Sequence, residues 1–276
     1  MIKFRRASAA PRTRDEPAEL PVPPREMRAL VGPTDVAAFD NPSGGLVFPY
    51  LDASVYRSVF DFGCGCGRVA RQLIQQQERP QRYVGVDLHA GMIRWCQEQL
   101  TPRAPEFEFV HHDVFDDSFN PGDGTPRFAP FPVRDGEFTL VNAISVFTHL
   151  TEEQAPHYMR EAARILADDG VVHASFFLLD KRTFPFMQAH TNALYVSWEH
   201  PSAAVVFDRG WVMASARAAG LTVVAAHPPS IRGYQWVLEM RRSRPGRSEI
   251  ELPPDSAPLG EVTIPPMPPD ASKIGA

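Results

Sequence analysis

The chain of 276 residues has few cysteines, no long apolar run and no cluster of basic residues in its central region. Its three cysteines, Cys64, Cys66 and Cys96, cannot all pair with one another and lack the spacing of a disulfide framework. We therefore expect reduced thiols and a cytoplasmic protein. No segment has the apolar pattern of a signal peptide or of a membrane span. With a formal net charge of −5, the chain also lacks the basic face that general nucleic-acid binding requires, so no nucleic-acid partner is expected.

Proline is concentrated near both ends of the chain, where the intervening residues are charged or small. Such segments cannot bury enough apolar surface to offset the entropy that they lose on ordering. We expect a proline-rich N-terminal tail at residues 1–45, a single folded domain at residues 46–241 and a disordered C-terminal tail at residues 242–276. Apolar residues within 27–39 could fold back on the domain as a lid or a short helix.

Between the tails, short β-branched or aromatic runs alternate with longer helical patterns, which is typical of a doubly wound α/β sheet. We predict strands at residues 58–62, 82–87, 106–111, 138–143, 171–177, 221–226 and 235–240, and helices at 68–77, 89–99, 152–166 and 208–218. Thr151 and Gln154 are expected to form a capping box at the start of the third helix. Gly170 is expected to end that helix in a left-handed turn. Residues 116–135, rich in Pro, Gly and Asp, are expected to form a long loop.

The first predicted strand runs into a glycine-rich turn with the sequence Asp61-Phe62-Gly63-Cys64-Gly65-Cys66-Gly67-Arg68. Glycines let a ligand approach the main chain closely, but several cofactor classes use such a turn. The carboxylate of Asp61 would repel the pyrophosphate of a dinucleotide, whereas it would attract the sulfonium and α-ammonium of S-adenosylmethionine. Arg68 stands where the dinucleotide pattern has a small residue. A nicotinamide cofactor is therefore the weaker interpretation.

Two further aspartates follow the next two predicted strands. Asp87 ends the second strand, where an acid can accept hydrogen bonds from ribose hydroxyls. Asp113 follows the third strand and could accept from an adenine amino group while the Val114 backbone meets a ring nitrogen. Each could by itself be a surface residue or a helix cap. Together with Asp61 they predict a ligand site at the carboxyl edge of a parallel sheet.

These motifs resemble those of the class I S-adenosylmethionine-dependent methyltransferases, particularly the small-molecule type related to quinone and sugar methylases. The resemblance covers about residues 50–240. It is carried by the glycine turn, by Gly85-Val86-Asp87, by His112-Asp113, by Asn142-Ala143-Ile144-Ser145-Val146-Phe147-Thr148-His149-Leu150 and by Arg164-Ile165-Leu166 with Gly170. It implies a Rossmann-like, doubly wound sheet of seven mostly parallel strands, ordered 3-2-1-4-5-7-6 with one antiparallel strand.

The resemblance also implies S-adenosyl-L-methionine as the cofactor. Residues expected around it are Asp61, Gly63, Cys64, Gly65, Gly67, Arg68, Asp87, Leu88, Asp113, Val114 and Asn142. By the family pattern, Asp61 and the glycines lie near the methionyl part, Asp87 near the ribose, and Leu88 and Val114 around the adenine. No metal is expected, because the residues offer no second ligand pair at zinc spacing.

The residues that bind and activate the methyl acceptor have no comparable motif. A base is needed only if the acceptor is a hydroxyl, and His149 is the first candidate because imidazole titrates near neutral pH. The alternative is that His149 only holds its turn, and His190, His200 and Tyr234 could also orient an acceptor. We expect methyl transfer to a small molecule or saccharide, such as O-methylation of a sugar, a glycan or a secondary metabolite. The alternatives are a nicotinamide-dependent oxidoreductase and a non-catalytic cofactor-binding scaffold.

Overall fold

The computed structural model of the protein describes residues 20–116, 119–122, 125–183, 190–231 and 234–252. The predicted tail character of residues 1–19 and 253–276 concerns segments outside the described residues. The α-helices are α1 (Arg25–Leu30), α2 (Arg68–Gln75), α3 (Ala90–Gln99), α4 (Gln154–Ile165) and α5 (Arg209–Ala218). The strands are β1 (Ser58–Phe62), β2 (Arg82–Asp87), β3 (Phe107–His111), β4 (Phe138–Ala143), β5 (Leu166–Leu179), β6 (Ala193–Tyr195), β7 (Val205–Asp208), β8 (Leu221–Ile231) and β9 (Gln235–Arg242).

Short 3-10 helices connect several of these elements. They span Val36–Phe39, Ala53–Arg57, Thr101–Arg103, Phe147–His149, Lys181–Thr183 and Pro201–Ala203.

Seven strands form the expected doubly wound sheet. Their order is β3-β2-β1-β4-β5-β9-β8, with β9 antiparallel to both of its neighbours and the other pairs parallel. This is the order that the family resemblance implied. Two short strands are additional: β7 pairs with the C-terminal end of β5, and β6 pairs with β7.

Helices cover both faces of this sheet. Residues such as Leu73 of α2 and Ile93 of α3 pack on the face that carries Val59 and Leu140. Tyr158 of α4 and Val212 of α5 belong to the core cluster on the other face. Because both faces are buried, the central strands are apolar almost throughout, as parallel strands usually are.

The end of α4 differs from the prediction. The side chains of Thr151 and Gln154 do form the capping box, each accepting a hydrogen bond from the other's backbone N–H. However, β5 begins at Leu166, directly after α4, and Gly170 lies inside the strand without a positive φ. A Cβ on Gly170 would lie 2.7 Å from a methyl group of Leu166. The glycine is therefore required for space in the strand, and not for a left-handed helix end.

Residues outside 46–241 also pack on the sheet domain. Arg71 of α2 is 3% exposed, and its guanidinium donates to the backbone carbonyls of Leu20, Pro21 and Phe39. At the other end, the backbone N–H of Ile250 donates to the carbonyl of Val223 in β8. Contacts of the domain thus extend on both sides of the predicted boundaries.

Candidate functional site

A cavity of about 320 Å³ opens at the carboxyl ends of β1, β2 and β4, the edge at which doubly wound sheets bind ligands. Ten of the predicted site residues line it: Asp61, Gly63, Cys64, Gly65, Arg68, Asp87, Leu88, Val114, Asn142 and His149. Gly67 and Asp113 are not among its lining residues. Tertiary structure thus brings together side chains from four separate predicted motifs.

The glycine turn between β1 and α2 forms one wall of the cavity. Gly63, Gly65 and Gly67 have φ angles of 74°, 54° and 80°, a region that residues with a Cβ seldom adopt. A Cβ on Gly65 would also lie 2.6 Å from a methyl group of Val31. Gly67 caps the start of α2, so its role is to shape the turn behind the cavity.

Asp61 is the most deeply buried carboxylate of the site, with 2% of the residue exposed. Its two oxygens accept hydrogen bonds from the Tyr83 hydroxyl at 2.7 Å and from the Asn142 amide at 2.6 Å. A Cβ on Gly85 would lie 2.9 Å from the Tyr83 hydroxyl, so this glycine makes the Tyr83 contact sterically possible. Burial raises the pKa of Asp61 to about 6, although these hydrogen bonds and Arg68 favour its ionised form.

Asp87 lies at the end of β2 and stabilises the glycine turn. One of its oxygens accepts from the backbone N–H of Gly65 and the other from that of His89, both at 2.8 Å. Burial raises the pKa of Asp87, and the two backbone hydrogen bonds oppose this effect. The residue also lines the cavity, and a carboxylate oxygen can accept more than one hydrogen bond.

Arg68 supplies the cation of the site. Its side chain lines the cavity, and burial lowers its pKa while Asp61 raises it. The cavity lining therefore contains three carboxylates, those of Asp61, Asp87 and Asp116, and one guanidinium, which favours a ligand with an excess of positive charge.

The end of β3 differs from the sequence interpretation. The Asp113 side chain is exposed and accepts a hydrogen bond from the Asn120 amide at 2.9 Å. His112 is buried, lines the cavity, and lies 3.0 Å from the Tyr158 hydroxyl through its Nε2 atom. Burial lowers the pKa of His112 to about 4, so this imidazole is neutral at pH 7.

His149 lies at the cavity beside the 3-10 helix that follows β4. Its Nδ1 atom is 2.8 Å from the backbone carbonyl of Ser202. Because a carbonyl only accepts, Nδ1 must carry the proton, and Nε2 of the neutral ring then has a lone pair. His190, His200 and Tyr234, the other candidates, are exposed and are not among the lining residues.

The sequence interpretation missed several residues of the cavity. Ala29, Leu30, Val31 and Gly32, in and directly after α1, contribute to its wall, as does Tyr158 from α4. Only the apolar pattern of residues 27–39 signalled the first group. Ser145, also in the wall, has a φ of 60°, the only positive value among the described non-glycine residues.

Comparison with known families identifies the domain that carries this cavity. Residues 59–170, which include β1 to β4, α4 and the start of β5, match the family model of a methyltransferase domain. This stretch of the chain is therefore similar to a methyltransferase domain, in agreement with the resemblance of the sequence motifs. The buried carboxylate of Asp61 beside the glycine turn is chemically suited to a cationic ligand.

Several solved structures are similar to this chain. One is a protein from Pyrococcus horikoshii OT3, at 20% identity and a TM-score of 0.46 over 67% of this chain and 82% of that chain. Another is an O-methyltransferase from neocarzinostatin biosynthesis, at 18% identity and a TM-score of 0.47 over 70% of this chain and 51% of that chain. A third is the 1,6-didemethyltoxoflavin-N1-methyltransferase of Burkholderia thailandensis, at 19% identity and a TM-score of 0.49 over 79% and 83%. The chain spans about half the length of the neocarzinostatin protein.

Within the described residues, no helix is long and apolar enough to cross a membrane. The same residues contain no group of three or more His, Cys, Asp or Glu side chains that could hold a metal ion. Cys64, Cys66 and Cys96 are all buried and unpaired.

Proposed function

We propose that the enzyme methylates a hydroxyl oxygen of a small acceptor, a secondary metabolite or a sugar. The observation that carries this proposal is the contact of His149, whose Nδ1 lies 2.8 Å from the Ser202 carbonyl, so that the neutral ring has its lone pair on Nε2. A hydroxyl acceptor must lose a proton during methyl transfer, and an imidazole with a free lone pair can take it. When bound, S-adenosylmethionine supplies a methyl group on a sulfonium centre.

The acceptor side of the cavity favours a partly apolar metabolite over a free sugar. Ile144, Val146, Leu150 and Phe119 line it, and such side chains bury an apolar ring system better than a polyhydroxylated one. The chemical gain comes mainly from alignment of the acceptor oxygen with the methyl group and from exclusion of water.

For the cofactor, we propose that Asp61 accepts from the α-ammonium group and that Arg68 pairs with the carboxylate. Asp87 is placed to accept from the ribose hydroxyls, and Leu88 and Val114 contact the adenine. These assignments are supported by the presence of all five residues in the cavity lining and by the charges of the first three.

We also propose that α1 and the residues after it form a lid over the cofactor. Val31 contacts the glycine turn closely enough to exclude a side chain at Gly65, and Met27, Val31 and Phe39 share a small apolar cluster with Met92. Such a segment can shield the reacting centre from water. Part of residues 1–45 then serves as the cover of the folded domain.

The test combines a binding assay with a search for the acceptor. The purified enzyme is incubated with S-adenosylmethionine labelled in its methyl group and with fractionated metabolites and glycans, and the labelled product is identified by mass spectrometry. With that acceptor, His149→Gln should lower kcat by about 10²- to 10⁴-fold and leave the cofactor Kd unchanged. His157→Gln is the matched control, because His157 lies on α4 and is not a cavity-lining residue. A product methylated at nitrogen or carbon, or an unchanged kcat for His149→Gln, would refute the proposed reaction.

A further inference from the structure

A row of polar side chains crosses the centre of the sheet on the face that is covered by α2 and α3. Asp61 of β1 is the direct strand partner of Asn142 of β4, and Asn142 is the partner of His173 of β5. Direct partners on neighbouring strands point to the same face. All three residues are buried, with 2%, 1% and 0% exposed. Polar groups in such a position need partners, because an unsatisfied buried polar group is costly.

Hydrogen bonds connect the side chains of this row into one continuous hydrogen-bonded chain. The Asn142 amide lies 2.6 Å from Asp61, and the Asn142 carbonyl oxygen lies 2.9 Å from Nδ1 of His173. Nε2 of His173 lies 2.7 Å from the hydroxyl of Tyr50, a residue 123 positions away in the sequence. The chain thus begins at a cavity-lining carboxylate and ends at the partly exposed Tyr50, which is 44% exposed.

The chemistry of the partners fixes the direction of every hydrogen bond. A carboxylate only accepts, so Asn142 must present its NH₂ group to Asp61 and its oxygen to His173. His173 then carries its proton on Nδ1, and its unprotonated Nε2 accepts from the Tyr50 hydroxyl. Burial lowers the pKa of His173 to about 3, so the ring is neutral and carries a proton on only one of its two nitrogens.

The outer end of the chain is built from aromatic rings. The Phe48 ring packs on His173 with the ring centres 4.3 Å apart, and the Tyr50 ring packs on His227 at 4.0 Å. His227 in turn lies 2.6 Å from Glu239 of β9. The contact with His227 holds the Tyr50 hydroxyl over Nε2 of His173.

We propose that Tyr50 and His173 are positioning residues for the cofactor. In this arrangement the Tyr50 hydroxyl selects the tautomer of His173, His173 selects the orientation of the Asn142 amide, and Asn142 keeps Asp61 an ionised acceptor for the α-ammonium group. This inference depends on the proposed placement of that group at Asp61.

Loss of the Tyr50 hydroxyl would reverse the direction of the hydrogen bonds between His173, Asn142 and Asp61. Without the Tyr50 hydroxyl, the proton of His173 can move to Nε2, and Nδ1 becomes an acceptor. The Asn142 amide would then rotate to donate to His173 and would turn its oxygen toward Asp61. Two acceptors would face each other in a buried site, which disfavours the ionised carboxylate and weakens its attraction for a cation.

The experiment measures S-adenosylmethionine binding by calorimetry, between pH 5 and 8, for the full chain and its variants. Tyr50→Phe removes one hydroxyl from a partly exposed residue and should raise the Kd about three- to tenfold. His173→Phe should raise the Kd further, by about tenfold or more. In both variants the pH midpoint of binding should rise by about one half to one unit. The other ionisable groups that face Asp61, namely Tyr83, Arg68, Asp87 and Cys64, are unchanged in both.

Phe48→Leu is the matched control, because it removes packing from His173 but none of the hydrogen bonds in the chain. It should lower the melting temperature without moving the pH midpoint, which distinguishes positioning from a merely structural effect. A ¹⁵N spectrum of the imidazole rings gives an independent measurement: His173 should have the Nδ1–H tautomer in the wild type and lose it in Tyr50→Phe.

Unchanged Kd and pH midpoint in Tyr50→Phe and His173→Phe, with weaker binding by Asp61→Asn, would overturn the inference and leave the cofactor placement intact. If Asp61→Asn also binds with the wild-type Kd, the proposed placement of the ammonium group fails and the inference fails with it. Should His173→Phe not fold, Tyr50→Phe and the imidazole spectrum still decide the question.

Discussion

Cofactor affinity should depend steeply on pH in the range where Asp61 titrates. Burial raises the pKa of Asp61 to about 6 in the free protein, and only the ionised carboxylate attracts the α-ammonium group. About nine-tenths of the molecules are ionised at pH 7 and about one-tenth at pH 5. The affinity for S-adenosylmethionine should therefore fall about tenfold between these two values.

Acid unfolding must be separated from the loss of cofactor affinity. Asp61 and His173 change the stability of the fold in opposite directions as the pH falls. The folded-state pKa of Asp61 lies above its ordinary value, so its stability contribution is present below about pH 4 and is lost as the pH rises through about 6. His173 behaves in the opposite way: its folded-state pKa is about 3, so its contribution is present above about 6.5 and is lost as the pH falls toward 3. Titration of Asp61 between pH 7 and 5 therefore does not destabilise the free protein.

The assay is titration calorimetry at four pH values from 5 to 8, with melting temperatures measured in the same buffers. Asp61→Asn provides the control, since it should bind weakly and show a nearly flat profile over this range. A wild-type Kd that stays constant between pH 5 and 8, in protein that remains folded, would refute the proposed role of Asp61.

Three further predictions concern the scaffold of the site. Arg71→Ala should lower the free energy of unfolding by about 2–4 kcal/mol in urea denaturation, because a buried guanidinium that donates to three backbone carbonyls is lost; a change below about 0.5 kcal/mol would contradict this anchoring role. Gly85→Ala should weaken S-adenosylmethionine binding in calorimetry, since the new methyl group displaces the Tyr83 hydroxyl from Asp61, and wild-type affinity would count against that contact. Ser145→Gly should leave the melting temperature nearly unchanged, because relief of the positive φ offsets the lost hydrogen bond from its hydroxyl to Gln235; a large decrease would show that the backbone is not strained there.

Much of the fold was accessible from local sequence patterns. Strands β1, β2 and β4 have the predicted bounds, because each is a short apolar run with a clear turn or helix signal after it. The additional strands β6 and β7 were not predicted, since they have only three and four residues and depend on pairing with the extended end of β5. The role of Gly170 was predicted wrongly, because a glycine after a helix can indicate either a left-handed turn or a tightly packed backbone.

The residues of the candidate site were also predicted only in part. The charge of Asp61 and Asp87 beside a glycine turn indicated the cofactor class without any structure, because the chemistry of those residue types is local. The predicted contact of Asp113 with the cofactor stays a prediction, but its neighbours His112 and Val114 line the cavity and Asp113 does not. Successive residues after a strand point in different directions, and only the path of the following loop selects which of them faces inward.

The sequence by itself determined the alternation of strands and helices and the acidic glycine turn, because these depend on residues that are close along the chain. Tertiary structure alone decided the hydrogen-bonded chain from Tyr50 through His173 and Asn142 to Asp61, since strand register, which no local pattern encodes, makes neighbours of residues up to 123 positions apart.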